Sequence, residues 1–218
     1  MDSVDLQARN NETFVFLHDI TNWSQLYPLD QCSFKSQMRQ SADNPLVLFE
    51  WSFDTNTLTI FLKAATGILS FVANPVANNT ITLGGTSIKF VASGAVGNQV
   101  NIGAAIADTL TNLLAFLDAS TDAAIIACNY AVNGTDLDIE YSAAGGMGNS
   151  FAIASNSANI VASGATLSGG AAISEMRAPR QSAQIFFGSY VYDFKLIFDG
   201  QEVVIFGGAL EFTDGVTL

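Results

Sequence analysis

One histidine, His18, and two cysteines, Cys32 and Cys128, are the whole supply of imidazole and thiol in this chain of 218 residues. A Ser–His–Asp or Cys–His device needs an imidazole as its base. Any such device here would have to use His18, which closes the strand-like pattern Phe16-Leu17-His18-Asp19. A structural or surface role is the expectation for it. One His and two distant Cys cannot make a zinc site of the usual ligand types. The two thiols are expected to be free and buried, as suits synthesis in a reducing cytoplasm.

Asp136, Asp138 and Glu140 alternate, so on a strand they share one face. Three carboxylates in a row could hold a hard cation such as Ca²⁺. They are also what the wet face of an antiparallel strand looks like, with Leu137, Ile139 and Tyr141 on the other side. The solvated face is the expectation. Gly145-Gly146-Met147-Gly148 does not lie between a strand and a helix start, so it lacks the geometry that cradles phosphate and reads as a loop. Trp23, Tyr27, Trp51, Tyr190 and Tyr192 could form an aromatic platform for a glycan, although core packing is the commoner use of such rings. Trp23 and Tyr27 lie in the loop-like segment Thr21–Pro28 and are the two expected to be exposed. They are the candidate interaction residues. No catalytic, cofactor-binding or metal-binding residue is assigned, no cofactor is expected, and the chain reads as a non-enzyme.

Composition bears on partners. Hydrophobic residues make up 49% and charged residues 13%, against a usual charged share of about a quarter. The surface must therefore be covered by Ser, Thr, Asn, Gln, Gly and Ala. Such a surface costs little to desolvate, which suits burial against neighbouring subunits. A soluble monomer with a neutral polar skin is the other reading. The net charge of -12, from 8 basic and 20 acidic residues, repels phosphate backbones and argues against a nucleic-acid partner. The start, Met1-Asp2-Ser3-Val4-Asp5, has neither the basic nor the apolar region of a signal peptide. No apolar run reaches the ~18 residues of a membrane helix.

The elements that must position these residues fall into two styles. Residues 1–66 and 173–218 are rich in aromatic and charged side chains. Residues 67–172 hold 13 of the 18 glycines and one basic residue, Lys89. A shift that reverses suggests a module inserted in a host loop whose ends are close. The host reads as strands by period-two alternation: Phe14 and Phe16 around Val15; Cys32, Phe34 and Met38; Phe49, Trp51 and Phe53; Leu58, Ile60 and Leu62; Tyr190, Tyr192, Phe194 and Leu196. Asp199-Gly200 then marks a hairpin, because both central residues of a type I′ turn need positive φ. Short strands with turn signals between them predict a mainly β fold, an antiparallel Ig-like β-sandwich. The insert predicts an α+β module. It has strands at Ile81–Leu83 and Ser87–Val91 around Gly84-Gly85, and one amphipathic helix over about 102–118. An apolar strand follows at Ala124–Ala131, then a turn at Asn133-Gly134 into Leu137–Tyr141.

Both zones resemble tailed-bacteriophage virion proteins. The host resembles structural proteins of the fibre-base or baseplate-adaptor type. The resemblance is carried by Glu12-Thr13-Phe14, Phe34-Lys35-Ser36-Gln37-Met38-Arg39, Gly188-Ser189-Tyr190-Val191-Tyr192-Asp193-Phe194, Asp199-Gly200, Gly208-Ala209-Leu210 and Gly215-Val216-Thr217. The insert resembles a module of phage tail sheath and other virion proteins through Ile81-Thr82-Leu83-Gly84-Gly85 before Ile88-Lys89-Phe90-Val91. The Ala104–Leu117 helix, Gly148-Asn149-Ser150 and Leu167-Ser168-Gly169-Gly170 follow. Together they cover most of the chain. The resemblance implies a structural subunit of the virion, made in the bacterial host cytoplasm, with other virion proteins and further copies of itself as partners. It implies a neck, tail or baseplate accessory; capsid decoration and a carbohydrate- or receptor-binding module are the alternatives. In the resembled family the closing strand runs directly on from the host hairpin. Here residues 67–172 intervene.

Overall fold

The computed structural model describes residues 2–9, 14–178 and 188–213. The fold is mainly β, with several antiparallel sheets and, among the described residues, one α-helix. In chain order the first six strands are β1 (Asp2–Ser3), β2 (Leu6–Arg9), β3 (Phe14–Asp19), β4 (Ser33–Arg39), β5 (Phe49–Ser52) and β6 (Leu58–Lys63). There follow β7 (Thr66–Phe71), β8 (Thr80–Leu83), β9 (Thr86–Val91), β10 (Gln99–Asn101) and the helix α1 (Ile106–Asp118). Next come β11 (Cys128–Asn133), β12 (Asp136–Tyr141), β13 (Ile153–Ser155), β14 (Ile160–Ala162), β15 (Ala171–Ala178), β16 (Gly188–Phe198) and β17 (Gln201–Thr213). The chain divides into two compact units, one of residues 1–61 and 172–218 and one of residues 62–171. The composition shift had placed the boundaries after residues 66 and 172.

The first unit holds a six-stranded sheet in the order β1-β17-β16-β4-β5, with β2 also on β17, and a three-stranded sheet in the order β3-β15-β6. Alternation decides what faces inward. Phe34, Ser36 and Met38 of β4 are buried, as are Tyr192, Phe194 and Leu196 of β16. Phe194 stacks on Phe206 of β17 at 4.6 Å and 11°. Buried Ser36 is satisfied because its hydroxyl donates to the Asp193 carbonyl at 2.6 Å. The Asp199-Gly200 signal is realised: φ is 50° and 74° at the two residues, and Phe198 pairs with Gln201 across the loop. The β16–β17 ladder slips at Phe194/Lys195, so Ile205 and Phe206 are both buried, as a bulge allows.

Not every pairing is antiparallel. β1 and β2 run parallel to β17. The backbone between them is held there by Val4, whose N–H donates to Gly207 at 3.1 Å and whose carbonyl accepts the Tyr192 hydroxyl at 2.7 Å. A Cβ on Gly208 would lie 2.3 Å from that carbonyl oxygen, so this approach requires glycine. Phe53, expected in the buried register of Phe49 and Trp51, lies past the end of β5 and is 43% exposed. Glu12, Thr13 and Gly215-Val216-Thr217 lie outside the described residues.

The second unit has two four-stranded sheets, β10-β9-β8-β13 and β11-β12-β7-β14, and α1. Its core gathers Leu69, Phe71, Ile81, Ile88 and Phe90 from strands with Leu110, Leu113 and Leu117 from the helix. The helix starts at Ile106, four residues later than the periodicity predicts. Gly103 sets the difference: a Cβ there would lie 2.2 Å from that of Asp108, and its N–H donates to the Thr109 hydroxyl at 2.8 Å. The Asp108 carboxylate accepts the Ala105 N–H at 3.0 Å and caps the first turn. The strand predicted over Ala124–Ala131 also starts later. Residues 123–127 are turn and the strand is β11. In the next turn Asn133 pairs with Asp136, so the loop residues are Gly134, at φ 65°, and Thr135. The unit's two ends are tied together. Thr66 and Ser168 exchange N–H···O bonds at 2.9 Å each way. The Asn149 side chain bonds both backbone groups of Gly170 at 2.9 Å.

Candidate interaction surface

Trp23 and Tyr27 are brought together by a 3₁₀ turn at Thr21–Gln25. The Asp19 carboxylate starts it by accepting the Thr21 N–H at 2.8 Å, and the bonds from Thr21 hold that carboxyl below its usual range. The two rings stack at 6.2 Å and 25°, and Tyr27 meets the ring of Phe198 at 6.1 Å, edge on. Both are half-buried rather than exposed, because each covers the other. The exposed apolar side chain of this segment is Leu26, at 72%. Among the described residues, the exposed phenyl rings of this unit are Phe53 and Phe61. Trp51 and Tyr192 are core residues.

His18 is half-buried, with its ring 4.1 Å from Phe206 and 5.9 Å from Phe16. Ser174 pairs with it across β3 and β15, and the Ser174 hydroxyl donates to the His18 carbonyl at 3.3 Å. The Ser174 hydroxyl and the adjacent carboxylate of Asp19 thus each bond to a backbone group. The two cysteines are free thiols. Cys128 is buried and burial raises its pKa to about 11. Cys32 is only half-buried, its thiol donating to the Pro28 carbonyl at 3.2 Å.

Asp136, Asp138 and Glu140 lie on the outer face of β12, since Leu137 and Ile139 fill the core. They pair with Ser70, Ile68 and Thr66 of β7. A depression of about 460 Å³ on this face is lined by Ile68, Tyr130, Asp138 and Glu140 among others. Among the described residues no three His, Cys, Asp or Glu side chains are gathered as metal ligands would be. Gly145 to Gly148 forms a bend, with φ 108° at Gly145, into a short 3₁₀ turn at Gly146–Ser150. Packing calls for small residues there, as a Cβ on Gly148 would lie 2.5 Å from that of Tyr141.

The outer face of the six-stranded sheet carries a charge network that sequence reasoning passed over. Lys35, Gln37 and Arg39 share one parity on β4, and Asp193 and Lys195 share one on β16. That alternation was the signal. Lys35 and Lys195 are direct cross-strand partners, a repulsive arrangement by itself. Glu202 relieves it, at 2.5 Å from Lys35 and 3.4 Å from Lys195. These two lysines hold the Glu202 carboxyl below its usual range. Arg39 Nη1 donates to Asp193 Oδ2 at 2.9 Å, Arg39 Nη2 donates to Gln37, and Gln37 Nε2 donates to Glu50 at 2.6 Å. Asp193 Oδ1 is buried and has no donor among the described residues. An acceptor left in that state costs about 1–3 kcal/mol.

Strand β3 is another exposed feature of this unit. Among the described residues it pairs on one side only, with β15. Val15 and Leu17 stand 48% and 57% exposed on it. Its sequence, FVFLHD, contains no Lys, Arg or Pro. Across the sheet, β6 exposes Phe61 at 51%. No helix among the described residues is long and apolar enough to cross a membrane. No protein-family model matches the chain, and no curated protein matches it significantly.

Proposed function

We propose that this chain is a non-enzymatic structural subunit of a tailed phage particle. It would be a neck, tail or baseplate accessory that docks on the virion and helps to seat fibres or adjoining rings. In this reading the first unit is an Ig-like antiparallel β-sandwich and the second an α+β module inserted in it. Its partners are other virion proteins and further copies of itself. Nucleic acid is a poor partner for a chain of net charge -12. The motifs quoted above from both zones support a virion role.

The observation that carries the assembly reading is β3. Among the described residues β3 has one strand partner, β15, and proteins that must stay monomeric blunt open sheet edges with Lys, Pro or bulges. β3 has neither Lys nor Pro, and it adds two exposed aliphatic side chains. An added strand gains backbone hydrogen bonds and apolar burial together.

Capsid decoration is the second reading, favoured by the same low-charge surface. A glycan-binding module has weaker support, because Trp23 and Tyr27 spend part of their ring surface on each other and on Phe198. Quantitative mass spectrometry of purified particles, against the major capsid protein, separates these readings. A few copies per hundred capsid subunits or fewer is the result expected. A ratio near one to one would make the chain a decoration protein. Its absence from particles would remove the virion role.

A further inference from the structure

We propose that residues 2–9 form an exchangeable strand, which a second copy of this chain supplies to β17 in place of the chain's own. The neighbouring copy comes from the assembly reading, on which the proposal rests for it. β17 has β16 along one side and β1 and β2 along the other. What belongs in the seat beside β17 is therefore visible in the structure. It is residues 2–9 themselves, in parallel register from Asp2 opposite Phe206 to Arg9 opposite Thr213.

The seat recognises this segment by particular groups. Between β1 and β2 the Val4 N–H donates to the Gly207 carbonyl at 3.1 Å. The Val4 carbonyl accepts the Tyr192 hydroxyl at 2.7 Å, and Asp5 Oδ1 accepts the Ala209 N–H at 3.0 Å. Gly208 leaves the notch that the Val4 carbonyl enters. These partners all lie on β16 or β17, so the same bonds form whichever molecule carries the segment. Release costs little. Among the segment's described side chains Leu6 alone is buried, and stretches with few buried apolar contacts open at the low end of local stability. Docking on a neighbour then restores every contact that was lost, which makes a swapped element a low-cost route to self-association. The segment joins β3 through residues 10–13, so a strand seated on a second copy holds the two copies side by side. Copies already gathered in an assembly meet each other's strands at high effective concentration.

Gln7 pairs with Glu211, and both are exposed. Neighbouring strands lie about 4.8 Å apart, within the reach of a disulfide. The test uses full-length chains, with Gln7→Cys in a ¹⁵N-labelled population and Glu211→Cys in an unlabelled one. The two are mixed at high micromolar concentration, oxidised and digested, and the linked peptides are mapped by mass spectrometry. A peptide joining positions 7 and 211 is expected, since the two cysteines start on different molecules and meet when a strand seats on another copy. It should exceed the link to a Gln201→Cys partner, whose cysteine lies at the far end of β17. Leu6→Asp in the first chain, or Gly208→Val in the second, should suppress it. The double variant Gln7→Cys/Glu211→Cys should close within one molecule when dilute. An absent link between molecules, a link no stronger than that to position 201, or a link indifferent to both substitutions would overturn the exchange. A double variant that does not close would overturn the seat itself. Particle content then separates the two proposals. The chain present in particles with no exchange in solution removes the exchange and leaves the virion role standing. Exchange in solution with the chain absent from particles removes the virion role alone, because the link is read without particles.

Discussion

Asp122 lies four residues beyond α1, and its carboxylate collects donors from two directions. The Thr86 hydroxyl reaches it at 2.9 Å, the Ala124 N–H at 2.9 Å and the Ile125 N–H at 3.4 Å. The first two bonds are the chief reasons that its pKa lies below the ordinary value. A carboxyl whose folded pKa is depressed adds stability above its unfolded pKa, and that stability is lost as pH falls through the folded value. Asp122→Asn keeps one acceptor oxygen but not the charge. Wild type should therefore melt higher than Asp122→Asn at pH 7, and the gap should close as pH drops below about 4. Asp19 and Glu202 titrate in both proteins and cancel from the difference. A gap of constant size from pH 7 to strongly acid conditions would show that the charge has no such role. Asp122 also explains why the segment after α1 was misread. An apolar run in Ala124–Ala131 has the composition of a buried strand, and nothing in its periodicity records a side chain two residues upstream. Yet short Asx side chains that bond nearby backbone N–H groups compete with regular structure. Here that competition turns residues 123–127 and delays β11 to Cys128.

Among the elements, those whose signal is local were legible. The β16–β17 hairpin follows from Asp199-Gly200, because positive φ at both loop residues is a property of the turn itself. The alternation of β4, β12 and β16 shows directly in the burial of Phe34 and Met38, Leu137 and Ile139, Phe194 and Leu196. What the sequence hid depends on distant partners. The parallel seating of β1 and β2 on β17 needs Tyr192 and Gly208, far along the chain. The late start of α1 needs the contact between Gly103 and Asp108. The exposure of Trp23 and Tyr27 was misjudged because loop-like composition says nothing about Phe198, which covers one of them. That β3 has β15 as its one strand partner among the described residues is another such fact, since only the sheet order reveals it. It yields a direct test. Leu17 is 57% exposed, and a surface substitution there should change stability by no more than about 0.5 kcal/mol. Leu17→Lys puts a charge on the edge without touching the core. It should shift the chain toward monomer in sedimentation velocity, with an unchanged denaturation midpoint. If the wild type sediments as a monomer at high micromolar concentration, or if Leu17→Lys associates as the wild type does, β3 is not the association edge.

For the whole molecule, the central question is whether residues 62–171 fold as an independent body. A chain inserted in a host loop must bring its two ends together, and here the ends bond to each other. Thr66 and Ser168 form a mutual pair, and Asn149 clamps Gly170 from the other side. Among the described residues the unit's core draws only on its own, from Ala65 to Leu167. Its size falls in the range where one hydrophobic core sustains a domain. The excised segment Leu62–Ala171 should therefore give a dispersed amide spectrum and a single cooperative unfolding transition. Asn149→Ala in that segment removes two bonds and leaves the Gly170 backbone groups without their partners. It should lower the unfolding free energy by about 1–3 kcal/mol, read from the shift in urea midpoint at constant slope. The slope matters because a change in it would mean a looser unit rather than a weaker clamp. An excised segment that stays unfolded would show that the remainder of the chain is needed to close the ends. A folded segment indifferent to Asn149→Ala would assign the closure to the Thr66–Ser168 pair.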